Sequence, residues 1–264
     1  MPGNGASPTP PLALVTGGHR RLGARIAAAL AEAGYALAIH GSHDAAPDAA
    51  LLQSLNGAGL PWHGFVADFA DPAAAESLLT AVVGHFGRAP DLIVNSASMF
   101  GQDRIDTVAP EDLAAHFAVN ASAPALLTKA FANATRDDPT GRERSIVNIL
   151  DQRLSHPHGD QLAYTLSKFA LAGLTRASAQ ALAPRIRVNA VAPGLTIVTP
   201  DYGAEQTRRL GEMMPLGRLP LPEEVSEAVL YLARARATTG QILHVDGGAH
   251  MVAYERDFVN LLRN

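Results

Sequence analysis

Leu12-Ala-Leu-Val-Thr16-Gly17-Gly18-His19-Arg20-Arg21-Leu22-Gly23 is the stretch that decides the fold. Leu12 to Thr16 read as a buried strand, and Gly17 to Gly23 form a turn into an alanine-rich helix. Glycines at such a turn let the backbone come close to a phosphate. The free N–H groups and the dipole of the helix that follows then hold the anion. A dinucleotide fingerprint has three glycines at this turn. In the spacing T-G-x-x-x-G-x-G the middle glycine is here Arg21. A plain glycine turn with no ligand is the other reading.

Beyond this stretch, short apolar runs alternate with longer helical patterns. Strands are expected at 12–16, 36–40, 61–66, 91–95, 145–150, 187–190 and 241–245. Helical segments between them include 22–33, 72–86, 110–132 and 162–183. This alternation predicts an α/β fold: one Rossmann-type domain, a doubly wound parallel sheet of about seven strands with helices on both faces. The domain is expected over 12–264, preceded by an N-terminal arm at 1–11 rich in Pro, Gly and Ser. The stretch from Pro193 to about Pro222 is dense in Pro and Gly, and reads as a long loop with little structure. A substrate lid over about 194–221 is expected there, with a plain surface excursion as the alternative.

Composition narrows the function. The chain has 264 residues, 47% hydrophobic and 17% charged, enough for a sizeable core. A net charge of −4 without a basic block does not favour nucleic acid. There is no cysteine, which excludes disulfides and thiolate metal sites. No apolar run of about 18 residues predicts a membrane span. The arm lacks the basic and apolar regions of a signal peptide, so a cytoplasmic protein is expected. No metal site is assigned, because His156-Pro-His158 has no clear third ligand.

The chemistry points to Tyr164-Thr-Leu-Ser-Lys168. Lys129 and Lys168 are the only lysines, so arginine carries most of the positive charge. Positions i and i+4 share a helix face. A phenol and an ammonium therefore stand side by side, and the ammonium is expected to lower the Tyr164 pKa from its reference near 10. A tuned phenol serves as a general acid or base. At the tip of the second strand, Ile39-His40-Gly41-Ser42-His43-Asp44 has no acidic residue at the position that usually takes a ribose 2′-hydroxyl. Arg20, Arg21, Ser42 and His43 are placed to surround a 2′-phosphate. NADP(H) is expected, and nearby Asp44 keeps NAD(H) open. Asp68, after the third strand, is placed for the adenine amino group, or else caps a helix.

Taken in order, Thr16-Gly17…Gly23, Asp68, Asn95-Ser96-Ala97, Asn120, Tyr164…Lys168, Pro193-Gly194 and Val245-Asp-Gly-Gly248 resemble the classical short-chain dehydrogenase/reductase family. The resemblance implies that Tyr164 donates a proton. It gives Lys168 the nicotinamide ribose and the task of lowering the phenol, and Asn120 a water in a proton relay. It also implies that Pro193, Gly194 and Thr196 border the nicotinamide, and that Gly17, Leu22, Gly23, His40, Phe69, Asn95, Ser96 and Ala97 join the cofactor site. The family's serine thirteen residues before the tyrosine is here Asp151, and Ser155 comes four residues too late. An ionised carboxylate accepts hydrogen bonds and donates none, so it suits a substrate that offers N–H groups.

Asp151 and Arg21 together resemble the pteridine reductases within that family. This likeness implies an Asp151-Tyr164-Lys168 set and a pterin sandwiched by Phe100. Ser98, Arg21, Gly194 and Leu195 then touch the substrate. A core or lid-packing role is the alternative for Phe100. A carbonyl or 3-oxoacyl reductase and a weakly catalytic nucleotide sensor are the competing functions. The apolar C-terminal stretch 249–264 is expected to pack either across a subunit interface, in a homotetramer or homodimer, or on its own subunit.

Overall fold

β1 (Leu12–Thr16) is buried along its whole length. Its side chains alternate between two separate cores. Ala13 and Val15 face one, and Leu12 and Leu14 face the other. A strand covered on both faces has no polar side, which explains its unbroken apolar run. The structure is a computed structural model that describes residues 9–200 and 202–262. Residues 1–8 of the expected arm, and residue 201 of the expected lid, lie outside the described residues.

After β1 come α1 (Arg21–Glu32), β2 (Ala36–Gly41), α2 (Ala49–Ala58), β3 (Trp62–Val66) and α3 (Ala74–Phe86). Then follow β4 (Leu92–Asn95), α4 (Pro110–Phe117), α5 (Ala123–Ala134), β5 (Arg144–Ile149) and α6 (Leu162–Leu182). The chain closes with β6 (Ile186–Pro193), α7 (Ala204–Met213), α8 (Pro222–Arg234) and β7 (Ile242–Val245). The strands form one sheet in the order β3-β2-β1-β4-β5-β6-β7. Every neighbouring pair is parallel, and Leu14 lies opposite Ala38 on one side and Ile93 on the other. One core packs α1, α2 and α8 on the sheet through Ile26, Leu30, Leu51, Val225 and Val229. The other packs α3, α5 and α6 through Leu78, Val82, Leu127, Phe131 and Ala179. This is the single-domain, doubly wound Rossmann-type sheet that the sequence predicts. Its order reverses between β1 and β4, so a crevice opens beyond the carboxyl ends of those strands.

Three expectations need correction. The helix expected at 110–132 is two helices joined by a π turn, Ala118–Ser122. Pro124 lacks the N–H that would bond the Asn120 carbonyl in α geometry, and the widened turn absorbs that loss. The strand expected at 187–190 runs on through Pro193, because the next bond to β7 comes from Gly194 N–H to the Val245 carbonyl (3.0 Å). The stretch 193–222 is not a bare loop, since it carries α7.

Candidate active site

Gly17 has φ +62°, and a Cβ there would lie 2.9 Å from Ala97 Cα. At Gly23 a Cβ would lie 2.1 Å from the Gly17 carbonyl oxygen. Only glycine lets the turn close this tightly on itself and on the chain after β4. Arg21 has φ +55°, so the missing glycine's left-handed backbone is kept by a residue for which it costs on the order of 1 kcal/mol. Thr16 Oγ1 accepts the N–H groups of Ser96 and Ala97, each at 3.0 Å, and ties β1 to the segment after β4.

His40 holds the turn from below. Its Nδ1 accepts Gly17 N–H at 3.2 Å, so its proton sits on Nε2, which donates to the Ala67 carbonyl at 2.8 Å. The ring stacks on Phe69 with centroids 4.4 Å apart. Burial lowers its pKa to about 4, which keeps the imidazole neutral and Nδ1 free to accept.

A cleft of about 820 Å³ opens above the turn. Arg20, Arg21, Leu22, Ser42, His43, Asp68 and Phe69 line one end of it. Asp44 is not in that wall. Its Oδ1 accepts Ala46 N–H at 2.8 Å. Asp68 Oδ1 accepts Ala70 N–H at 3.0 Å. The other end is lined by Ser96, Ala97, Ser98, Phe100, Pro193, Gly194, Leu195 and Thr196, with Asp151, Tyr164 and Lys168 at the floor.

Asp151 follows β5 and caps a short 3₁₀ turn, accepting Arg153 N–H at 2.9 Å. Tyr164 lies in the first turn of α6, and its hydroxyl donates to Asp151 Oδ2 at 2.9 Å. Lys168 stands one turn further on, donates to the Ile149 carbonyl at 2.8 Å, and lies 5.5 Å from the Tyr164 ring centroid. Phe100 meets Tyr164 edge to face at 4.8 Å. The expected lowering of the phenol by Lys168 is not what the chain's own groups produce. Burial and the Asp151 carboxylate hold Tyr164 well above its ordinary range, against a smaller lowering by Arg153. Burial brings Lys168 down to about 8.

Two expected site residues stand behind the cleft wall. Asn95 is buried in the sheet, donating to Asn148 Oδ1 at 2.8 Å, and Asn148 donates in turn to Thr175 Oγ1 at 2.9 Å. Asn120 lies in the π turn and is fully buried. Its Oδ1 accepts Met99 N–H at 2.7 Å, and its Nδ2 donates at 2.9 Å to both the Met99 carbonyl and Ser167 Oγ. Both Nδ2 hydrogens are thus used within the protein. The side chain fixes the segment carrying Phe100 against α6.

Sequence reasoning missed Arg153, Asp257, Phe258 and Val259, which also line the cleft. Arg153 has no local sign, being one of many arginines, and its partner Asp257 lies 104 residues away. The C-terminal segment packs on its own subunit: Tyr254, Phe258, Leu261 and Leu262 join Leu210 and Met214 of the α7 region. His156 and His158 diverge, His156 toward the His250 carbonyl (2.9 Å) and His158 toward Asp257 (3.9 Å). Among the described residues no cluster of three or more His, Asp or Glu is placed to hold a metal. No described helix is long and apolar enough to cross a membrane.

A parallel sheet with a glycine turn at its switch point and a Tyr-Lys pair in the cleft defines a nucleotide-dependent oxidoreductase. The family model described as Enoyl-(Acyl carrier protein) reductase matches residues 18–250. The chain belongs to the short-chain dehydrogenase/reductase family. It is 36% identical to pteridine reductase 1 of Leishmania tarentolae, over 92% of this chain and 97% of that protein. It is 32% identical to the 3-oxoacyl-[acyl-carrier-protein] reductase of Escherichia coli strain K12, over 91% of this chain and 98% of that protein. The crystal structure of the FolM alternative dihydrofolate reductase 1 of Brucella suis, in complex with NADP, is similar with a TM-score of 0.80. That protein is 34% identical, with 94% of this chain and 98% of that one covered.

Proposed function

We propose that the protein is an NADPH-dependent reductase acting on a C=N bond of a pterin-type substrate. One observation carries the reading: the carboxylate of Asp151 accepts the Tyr164 hydroxyl at 2.9 Å, where the family's usual serine would donate to a carbonyl. A carboxylate beside the reacting centre disfavours a developing alkoxide and favours a substrate presenting N–H groups. The match to pteridine reductase 1 and to the alternative dihydrofolate reductase supports the same reading.

The residues present fit NADP(H). The tight glycine turn leaves the α1 N-terminus open to a pyrophosphate. Arg20, Arg21, Ser42 and His43 stand where a 2′-phosphate needs cations and donors, while Asp44 is engaged with its own loop. When bound, NADPH supplies hydride to the carbon of the C=N bond. Tyr164 gives its proton to the adjacent nitrogen, and Asp151 orients the hydroxyl. Lys168, charged below its pKa of about 8, has N–H groups beyond the one bound to Ile149 and replenishes the proton. Phe100 covers the flat ring, with Ser98, Arg21, Gly194 and Leu195 around its edge. We assign the described residues of 194–221, α7 among them, to a lid over this end.

The test is oxidation of NADPH and NADH against dihydropterins, dihydrofolate and simple ketones. Turnover of pterins with NADPH is expected. Turnover of ketones alone moves the assignment to a carbonyl or 3-oxoacyl reductase. The Tyr164→Phe variant should lose at least about a hundredfold in kcat while still binding NADPH. Full activity in that variant removes Tyr164 as the proton donor.

A further inference from the structure

Arg153 is a cation sealed in the floor of the cleft, with 3% of its surface exposed. Its Nη2 donates to Asp257 Oδ2 at 2.6 Å, and its Nη1 donates to Gln161 Oε1 at 2.8 Å. Its Nε lies 3.3 Å from Asp151 Oδ1, as an ion pair without hydrogen-bond geometry. The guanidinium carbon sits 4.8 Å from the Tyr164 ring centroid and 5.7 Å from that of Phe100. One side chain therefore touches Asp151, the Tyr164 ring, Phe100 and the C-terminal segment.

We propose that Arg153 is a positioning residue of this active site: anchored by Asp257 of the C-terminal segment, it fixes the Asp151 carboxylate against the Tyr164 hydroxyl. The C-terminal segment is then a working part of the catalytic apparatus.

Burying a guanidinium carries a large desolvation cost, and an apolar side chain would fill such a space at less cost. The cation is instead held where it neutralises a carboxylate that contacts the reacting phenol. Asp151 contributes one oxygen to the tyrosine and turns the other toward Arg153. Without the guanidinium that second oxygen keeps only the Arg153 backbone N–H. The carboxylate is then free to rotate away from the hydroxyl. Asp257 closes the arrangement from the far side. Its Oδ2 holds Arg153, its Oδ1 accepts Val259 N–H at 2.8 Å, and its own N–H donates to Asp160 at 3.2 Å. The groups facing Arg153 and its anchor are Asp151, Tyr164, Lys168, His158, Asp160 and Asp257. Arg153 is the cation shared by Asp151 and Asp257, and Asp160 adds a third carboxylate behind the anchor. Burial, aided by Arg153, keeps His158 low.

The proposal rests on Tyr164 being the proton donor, though not on the pterin. It is read on whichever dihydropterin or ketone the parent chain reduces, so failure of the pterin assignment and failure of this one are separate results. Three variants are compared: Arg153→Met, Asp257→Asn, and the double variant Arg153→Met/Asp257→Leu, which removes the buried pair whole and so leaves no lone charge. Asp257→Asn keeps the shape of the anchor if the other two do not fold. Each folded variant is expected to lose about tenfold or more in kcat with NADPH affinity within about twofold, and to shift its pH–rate profile. Asp257→Asn should show the smallest shift. Hydrogen exchange in the protein without cofactor should show lost protection at residues 257–261 in Asp257→Asn. An unshifted pH–rate profile, even with reduced kcat, makes Arg153 a merely structural cation and overturns the proposal. So does unchanged protection of the C-terminal segment.

Discussion

His40 shows how one residue's ionisation is built into the glycine turn. Its Nδ1 accepts Gly17 N–H only while the ring is neutral. The folded pKa of about 4 lies below the ordinary histidine value of 6.5. Between those values the unfolded chain holds a proton that the folded chain does not. The contribution is therefore fully present above pH 6.5 and is lost as pH falls toward 4. Between pH 7 and pH 5 this group alone should remove about 2 kcal/mol of stability. Urea unfolding of the parent chain and of His40→Phe at both pH values measures it. The variant should lose less on acidification, and an equal loss in both would show that His40 is not the group responsible. Lys168 acts at the other limit. It gives up its proton as pH rises through about 8, so kcat for a proton-consuming reduction should fall there, a decline that a pH–rate profile reveals.

At the scale of elements, the site is made by ends meeting. The carboxyl ends of β1, β4, β5 and β6 supply the floor, and the first turns of α1 and α6 supply Arg21 and Tyr164. The N-terminus of α6 is fixed by Asp103, whose Oδ2 accepts Ala163 N–H at 2.9 Å, one residue before Tyr164. Across the cleft, α7 is tied to the C-terminal segment by Gln206. Its Nε2 faces the carbonyls of Phe258, Val259 and Leu261 at 3.1, 3.3 and 2.7 Å. We propose that α7 and this segment move as one piece. Gln206→Leu should weaken that piece by about 1–3 kcal/mol, because it leaves backbone acceptors without donors. Hydrogen exchange should then rise together in α7 and in residues 258–262, with substrate KM raised more than kcat is lowered. Exchange confined to one of the two elements would show that they are held independently.

For the molecule as a whole, NADPH that binds the folded chain and not the unfolded one should stabilise the fold by simple mass action. At a hundredfold excess over Kd the gain is about 2.7 kcal/mol. Thermal melts with equal concentrations of NADPH and NADH test the assignment of Arg20, Arg21, Ser42 and His43 to a 2′-phosphate. NADPH should raise Tm more. The reverse order would return the second-strand tip to Asp44 and a ribose hydroxyl.

The sequence by itself determined the parallel sheet, the glycine turn and the Tyr164–Lys168 pair, because each rests on local spacing. Buried strands are apolar throughout, a phosphate turn needs glycine at fixed offsets, and i,i+4 places two side chains on one helix face. It also marked Asp151, through its distance from Tyr164 in the family pattern. Other features depended on contacts between distant segments. The helix α7 was hidden in a stretch crowded with Pro and Gly, and it is held by packing against a C-terminal segment that local periodicity does not connect to it. Asn95 and Asn120 stand out in the sequence, yet only the packed sheet and the π turn show that their side chains bond within the protein behind the cleft wall. The direction of the Tyr164 pKa was decided by burial and by Asp151, which no spacing rule weighs. The tie between Arg153 and Asp257 exists only in three dimensions, because its two ends are 104 residues apart and meet where β5 and the C-terminal segment close the same cleft.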